Sequence, residues 1–243
     1  MSMYKTETHL HTDESSSCGR VPAKELIRLY KEAGYTTVFV TDHFQKKGFA
    51  AYEATAQLHE ERLQKFLTGY YLAKEEGDKI GVNVLLGAEL RFLLGNVVDY
   101  LIYNFDIDVL RHFPRIYDMT PNEFFDFANE RGILVIAAHP FRGSLHPVPS
   151  AVHGFEVINA NPRKKDETYN DLALALADRY GSHLRTGGSD AHQRIDVGAG
   201  GIMTEKPILT SEDYINVLKS KKYTIINNTD EILRREKEKN NDK

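Results

Sequence analysis

A chain of 243 residues, 41% hydrophobic and 27% charged, has the composition of an ordinary globular domain, with enough apolar material for a core that needs no staple. Its formal net charge of −4 gives no overall basic footprint for nucleic acid, and its single cysteine, Cys18, excludes an intrachain disulfide. With no apolar leader in "MSMYKTETHL" and no run near the roughly 20 apolar residues of a membrane span, the expectation is a cytoplasmic protein in a reducing setting.

Short apolar runs alternate with segments of helical period, the pattern of β/α units around a largely parallel sheet. "YKTETHLH" reads as a strand that places His9 and His11, two residues apart, on one face. The helix "PAKELIRLYKEAG" follows, with Pro22 in its first turn and Gly34 as its cap. "YTTVFVTDH" is a β-branched strand that stops at Asp42 and His43. A long polar helix over roughly 53–79 leads into the strand "VNVLLGAELRF", which carries Glu89, and then into a fourth strand, "VVDYLIYNF". Thr120, Pro121 and Glu123 open the helix "PNEFFDFANERG" with a capping box. "ILVIAAHP" ends at His139, and "GFEVINA", the helix "DETYNDLALALADRYG" and the strand "HLRTGGSDAH" continue the alternation to Asp190 and His192. After "SEDYINVLKSKKYTII" no further unit begins. Nothing splits the chain, so one domain is expected over residues 1–228, with residues 229–243 a charged tail that frays or stays disordered.

Five strand ends thus carry His9 and His11, Asp42 and His43, Glu89, His139, and Asp190 with His192. In parallel α/β barrels that end of the strands builds the active site. Imidazoles and carboxylates without a thiolate cluster suit zinc, manganese or iron, and seven ligands exceed the four of one tetrahedral ion. A centre of two or three metals with a bridging carboxylate is therefore expected. Each residue also has a plainer reading. Glu89 suits an ion pair with Arg91, Asp42 suits the orienting of His43 or a nearby loop, and His139 suits a turn. Arg20, Arg142 and Arg163 follow strand ends, where their guanidinium forks suit phosphate, and no glycine-rich nucleotide loop is present.

The ordered series "HLHT", "VTDH", "GAEL", "AAHP" and "GSDAH" resembles the PHP (polymerase and histidinol phosphatase) family over nearly the whole chain. The resemblance implies an α/β fold, a distorted (β/α)7 TIM-like barrel with its metal site at the C-terminal ends of the strands. It implies that His9, His11, Glu89 and Asp190 hold one metal, that Glu89 bridges to a second bound by His139, and that His43 and His192 serve a third. Family members often add a ligand shortly after the first motif; here "TDESSSCG" offers Asp13, Glu14 or Cys18, with Glu14 the first choice and Cys18 the last. In the fourth strand, where many members have a histidine, this chain has Tyr103 and Asn104.

The expected activity is hydrolysis of a small phosphomonoester or phosphodiester by metal-activated water, using two or three divalent transition-metal ions (Zn, Mn or Fe). Arg20 and Arg142 would grip phosphate while Asp42 or His192 relays a proton. The alternatives are a metal hydrolase of amidohydrolase type, against which "GAEL" replaces the metal-bridging lysine, and a non-catalytic metal-binding PHP module. The expected partner is a small phosphorylated substrate, with no membrane and no general nucleic-acid binding. Its identity would be set by loops such as 44–56 and 140–153.

Overall fold

The protein is described by a computed structural model over residues 3–45, 56–93, 98–144 and 147–241. Among these residues ten strands join one sheet: β1 (Tyr4–Glu7), β2 (Tyr35–Val40), β3 (His43–Gln45), β4 (Asn83–Arg91), β5 (Asp99–Tyr103), β6 (Leu134–Ala137), β7 (Gly154–Asn159), β8 (Leu184–Gly188), β9 (Gly200–Thr204) and β10 (Thr224–Asn227). The order is β10-β9-β1-β2-β4-β5-β6-β7-β8, with β3 paired to the end of β4. β8 packs back against β9, so the sheet curls into a nearly closed barrel. The seam is tight: a Cβ on Gly200 would lie 2.3 Å from the Gly188 carbonyl carbon, so only glycine lets the two backbones approach.

Seven helices are described: α1 (Ala23–Glu32), α2 (Ala56–Ile80), α3 (Ile107–His112), α4 (Pro121–Asn129), α5 (Asn170–Arg179), α6 (Ser211–Ser220) and α7 (Thr229–Asn241). In α1, Ala23, Leu26, Ile27 and Tyr30 form the i, i+3, i+4, i+7 stripe and are all buried. α1 ends before Gly34, whose φ of 80° supplies the left-handed residue that stops the helix. The expected capping box of Thr120 and Glu123 opens α4. Phe39, Leu101, Tyr103, Ile136, Ile202 and Tyr214 pack together between sheet and helix, and Phe39 meets Tyr103 edge to face at 5.0 Å. No described helix is long and apolar enough to cross a membrane.

Two features depart from the sequence expectation. β1, β2 and β4 are parallel, as are β6, β7 and β8, but β5 runs antiparallel to both β4 and β6, and β9 runs antiparallel to β1 and β10. The reason for β5 is chain length: residues 92–98 are too few for a crossover, which takes about a dozen or more. The second departure is the tail, which forms α7 through Asn241. Acidic Asp230 and Glu231 occupy its first turn, and i,i+4 pairs Glu231–Arg235 and Arg234–Glu238 lie along it. Lys165 also pairs with Asp230 and ties the helix to the barrel.

Candidate metal centre

The parallel strands deliver their C-terminal ends to one buried cluster. His9 and His11 follow β1 and are fully buried, with Nε2 atoms 3.2 Å apart. Glu89 on β4 stands between the remaining imidazoles. Its Oε1 lies 3.0 Å from His139 Nε2 and 3.6 Å from His9 Nε2, and its Oε2 lies 3.2 Å from His11 Nε2 and 2.9 Å from His43 Nδ1. Asp190 Oδ1 lies 3.4 and 3.3 Å from the Nε2 atoms of His9 and His11. The side chains fall into three groups, His9–His11–Asp190, His9–Glu89–His139 and His11–His43–His192, with potential ligand atoms within 4.8 Å of one another in each. His139 (φ 27°) and Asp190 (φ 48°) both hold left-handed backbone, a strain that non-glycine residues rarely bear and that the surrounding strands must maintain.

The hydrogen bonds behind the rings decide what the cluster can hold. His9 Nδ1 lies 2.9 Å from Glu156 Oε1, and a carboxylate there fixes the proton on Nδ1 and turns the Nε2 lone pair inward. His192 Nδ1 lies 2.7 Å from the Asp190 carbonyl, which can only accept, so its Nε2 is likewise unprotonated in the neutral ring. His11 Nδ1 faces Ser16 Oγ at 3.4 Å, and that hydroxyl donates to Asp42 at 2.5 Å. In the neutral rings the facing Nε2 atoms of His9 and His11 present lone pairs to each other, an arrangement that a cation, proton or metal ion, stabilises. His43 Nδ1 and Glu89 Oε2, both buried and misaligned with each other, have no hydrogen-bond partner. A nitrogen and oxygen donor set of this kind, with orphaned buried donor atoms, fits divalent transition metals.

Electrostatics point the same way. Burial opposes charge on His9, but Glu156, Asp190 and Glu89 outweigh it and hold the imidazolium well above the usual range. Burial and His43 likewise oppose charge on His11, yet hydrogen bonds to Asp190 and Glu89 raise it to about 9. Burial would raise Glu89, but His43 and His9 keep its carboxyl well below the ordinary value; Arg142 and His9 do the same for Asp190. The cluster is a sink for positive charge, as protons or as metal.

His9, His11, His43, Glu89, His139, Asp190 and His192 are thus brought together, and other expected site residues are not. Glu14 accepts the Ala23 N–H through both oxygens, at 3.2 and 3.0 Å, and so caps α1 instead of entering the cluster. Arg20 is exposed, and its guanidinium folds back onto the Ser17 and Gly19 carbonyls at 2.9 and 3.1 Å. Both belong to a loop closed by Ser16 N–H to Thr12 O and Gly19 N–H to Ser16 O, which commits their side chains locally. Asp42 is buried and takes bonds from Thr12 N, Thr12 Oγ1 and Ser16 Oγ, so it braces His11 through Ser16 and has no reach for a leaving group. Arg91 pairs with Asp99, not with Glu89, and Arg163 pairs with Asp196. Arg142 alone of the three arginines meets the cluster, with Nη1 2.7 Å from Asp190 Oδ2 and Nη2 2.9 Å from Asn159 Oδ1. Of the expected specificity loops, residues 46–55 and 145–146 lie outside the described residues.

Two residues join the site that sequence reasoning missed or ranked last. Glu156 on β7 is fully buried and, besides His9, takes the His139 N–H at 2.8 Å and Asn159 Nδ2 at 3.0 Å. A lone carboxylate inside the apolar strand "GFEVINA" was the signal for it. Of Asp13, Glu14 and Cys18, the residue set against the cluster is Cys18. Burial pushes its thiol up, but hydrogen bonding with His192 and His43 outweighs this and brings it down to about 5.

Comparison with known proteins agrees with this architecture. A family model described as PHP-associated matches residues 167–223. Among solved structures, PsfC from Pseudomonas syringae PB-5123 superposes with a TM-score of 0.69 at 20% identity, over 97% of this chain and 96% of its own. A two-domain protein from Bacteroides vulgatus ATCC 8482, described as containing a predicted PHP-like metal-dependent phosphoesterase, has a TM-score of 0.63 at 15% identity, over 93% of this chain and 65% of its own. An amidohydrolase from Chromobacterium violaceum, solved with bound sulfate and no metal, has a TM-score of 0.53 at 14% identity, over 90% and 97% of the two chains. Among curated proteins no sequence matches the chain significantly.

Proposed function

Taking as premise a chain with the barrel of PHP-like proteins and a PHP-associated segment, we propose that it is a metal-dependent phosphoesterase acting on a small phosphorylated molecule. The observation that carries this reading is one buried carboxylate, Glu89, shared by four imidazoles, beside a second, Asp190, that pairs with the Arg142 guanidinium. Bound divalent ions, by the donor set zinc, manganese or iron, supply Lewis acidity, activating water and offsetting charge on phosphate oxygens.

The chain's own residues supply the rest. Beside His139 a cavity of about 210 Å³ is lined by Arg91, Asp99, Pro140, Arg142 and Gly143, a seat of phosphate size. Arg142 lines this cavity while Asp190 and Asn159 hold its two terminal nitrogens and its Nε stays buried without a partner, so its guanidinium is a fixed positive charge beside the seat. Glu156 and the Asp42–Ser16 pair fix the ring orientations of His9 and His11. His192, with Nδ1 held on a carbonyl, turns Nε2 to the cluster, where the protonated ring would be the proton donor to the leaving oxygen when that nitrogen holds no metal.

Phosphate release from a panel of sugar, nucleotide and amino-alcohol phosphates is the test, with amides as controls. Activity should vanish on chelation and return with metal; amide cleavage without phosphate release would reverse the assignment. Within that assay, Arg142→Ala should lower kcat/KM by roughly 30-fold, about 2 kcal/mol for a lost charge-assisted bond. Arg20→Ala should stay within about twofold, as expected of an exposed side chain away from the seat. Equal losses in the two variants would count against the placing of the phosphate beside Arg142.

A further inference from the structure

Two cavities flank the cluster and share no lining residue. The phosphate seat lies on the His139 side, where that ring meets Glu89 Oε1. The other, about 350 Å³, lies on the His43 side, where that ring meets Glu89 Oε2. Its walls are the carboxylates Asp13 and Glu14, the serines at 15–17, Gln45, Phe66 and two cations of α2, Arg62 and Lys65. The volume is that of a small-ligand pocket.

The cation-bearing wall is clamped in place. Arg62, Lys65 and Gly69 stand at i, i+3 and i+7 on one face of α2. Gly69 is what lets that face close on the barrel, since a Cβ there would sit 1.9 Å from Thr12 Oγ1 and 2.9 Å from Asp42 Oδ2. Ser15 Oγ accepts the Gly69 N–H at 2.9 Å and donates to the Lys65 carbonyl at 3.1 Å, pinning the serine loop to the helix. Of the polar groups facing the cavity, Glu14 is engaged by α1 and Ser16 by Asp42. The Lys65 ammonium is exposed and forms no ion pair among the described residues. A pocket that opens onto a reacting centre, with a cation held on its wall, suits the half of the substrate that leaves.

We propose that this pocket receives the leaving alcohol and that Lys65, with Arg62 beside it, selects alcohols bearing a second anionic group, a carboxylate or a further phosphate. The proposal rests on the phosphoesterase reading. Its test compares phenyl phosphate with 4-carboxyphenyl phosphate on the metal-loaded protein, as the ratio of their kcat/KM values. Wild type should favour the carboxylated ester by roughly tenfold, Lys65→Ala should bring the ratio near one, and Lys65→Glu should reverse it. A wild-type ratio near one, or a preference that both variants keep, overturns the proposal. If neither ester is turned over, the panel above decides the phosphoesterase reading, and calorimetry with the alcohols judges the pocket separately. Binding of 4-hydroxybenzoate over phenol that Lys65→Ala abolishes supports the anion site; no such difference overturns it.

Discussion

Glu89→Gln should reduce turnover by about 10³-fold or more, roughly 4 kcal/mol of transition-state stabilisation, and should lower the metal content of the purified protein. The carboxylate reaches His9 and His139 through one oxygen and His11 and His43 through the other, so imidazoles of all three ligand groups lie against its charge. An amide of nearly the same shape keeps one oxygen acceptor but replaces the other with a donor that faces imidazole nitrogens. It also leaves the cluster one negative charge short. Because the exchange preserves volume in a site with about 1% exposure, the fold should survive, and thermal melting should separate loss of metal from loss of structure. A Glu89→Gln enzyme that keeps more than about a tenth of wild-type kcat would show that Glu89 does not bridge.

His11→Ala should lower bound metal and kcat together, each by a large factor, with kcat falling about 10²-fold or more. His11 belongs to two of the three ligand groups, and its Nε2 is within 3.3 Å of both Glu89 and Asp190. Its loss would leave those two carboxylates, now held well below their usual range, without one of the cations that stabilises them. Metal content and steady-state kinetics on the same preparation check this. Full metal with full activity would make the imidazole pair after β1 a structural feature only.

The ligands were legible because they fall at or just past the ends of strands, where a polar residue follows an apolar run; "HLH", "GAEL" and "GSDAH" needed no tertiary information to be placed. The turn of β5 was also legible in principle, since residues 92–98 leave no room for a crossover helix. The choice among Asp13, Glu14 and Cys18 was not. It depends on how the loop after β1 closes on itself and on an α1 N-terminus that competes for Glu14. Arg20 misled for the same reason: nearness in sequence to a ligand says nothing of direction in a tight loop. Lys65 and Arg62 were hidden differently. Within α2 they read as a solvated face, and only the close approach allowed by Gly69 brings that face to the pocket beside His43. The tail was judged by its charge alone, whereas its charges fall at helical spacing.

The most direct test of a shared metal centre is elemental analysis of protein purified without chelators and freed of loose ions by gel filtration. Three overlapping ligand groups, joined through the shared His9 and His11, predict at least two transition-metal ions per chain. A stoichiometry of one or less, unchanged after reconstitution with zinc, manganese or iron, would contradict it.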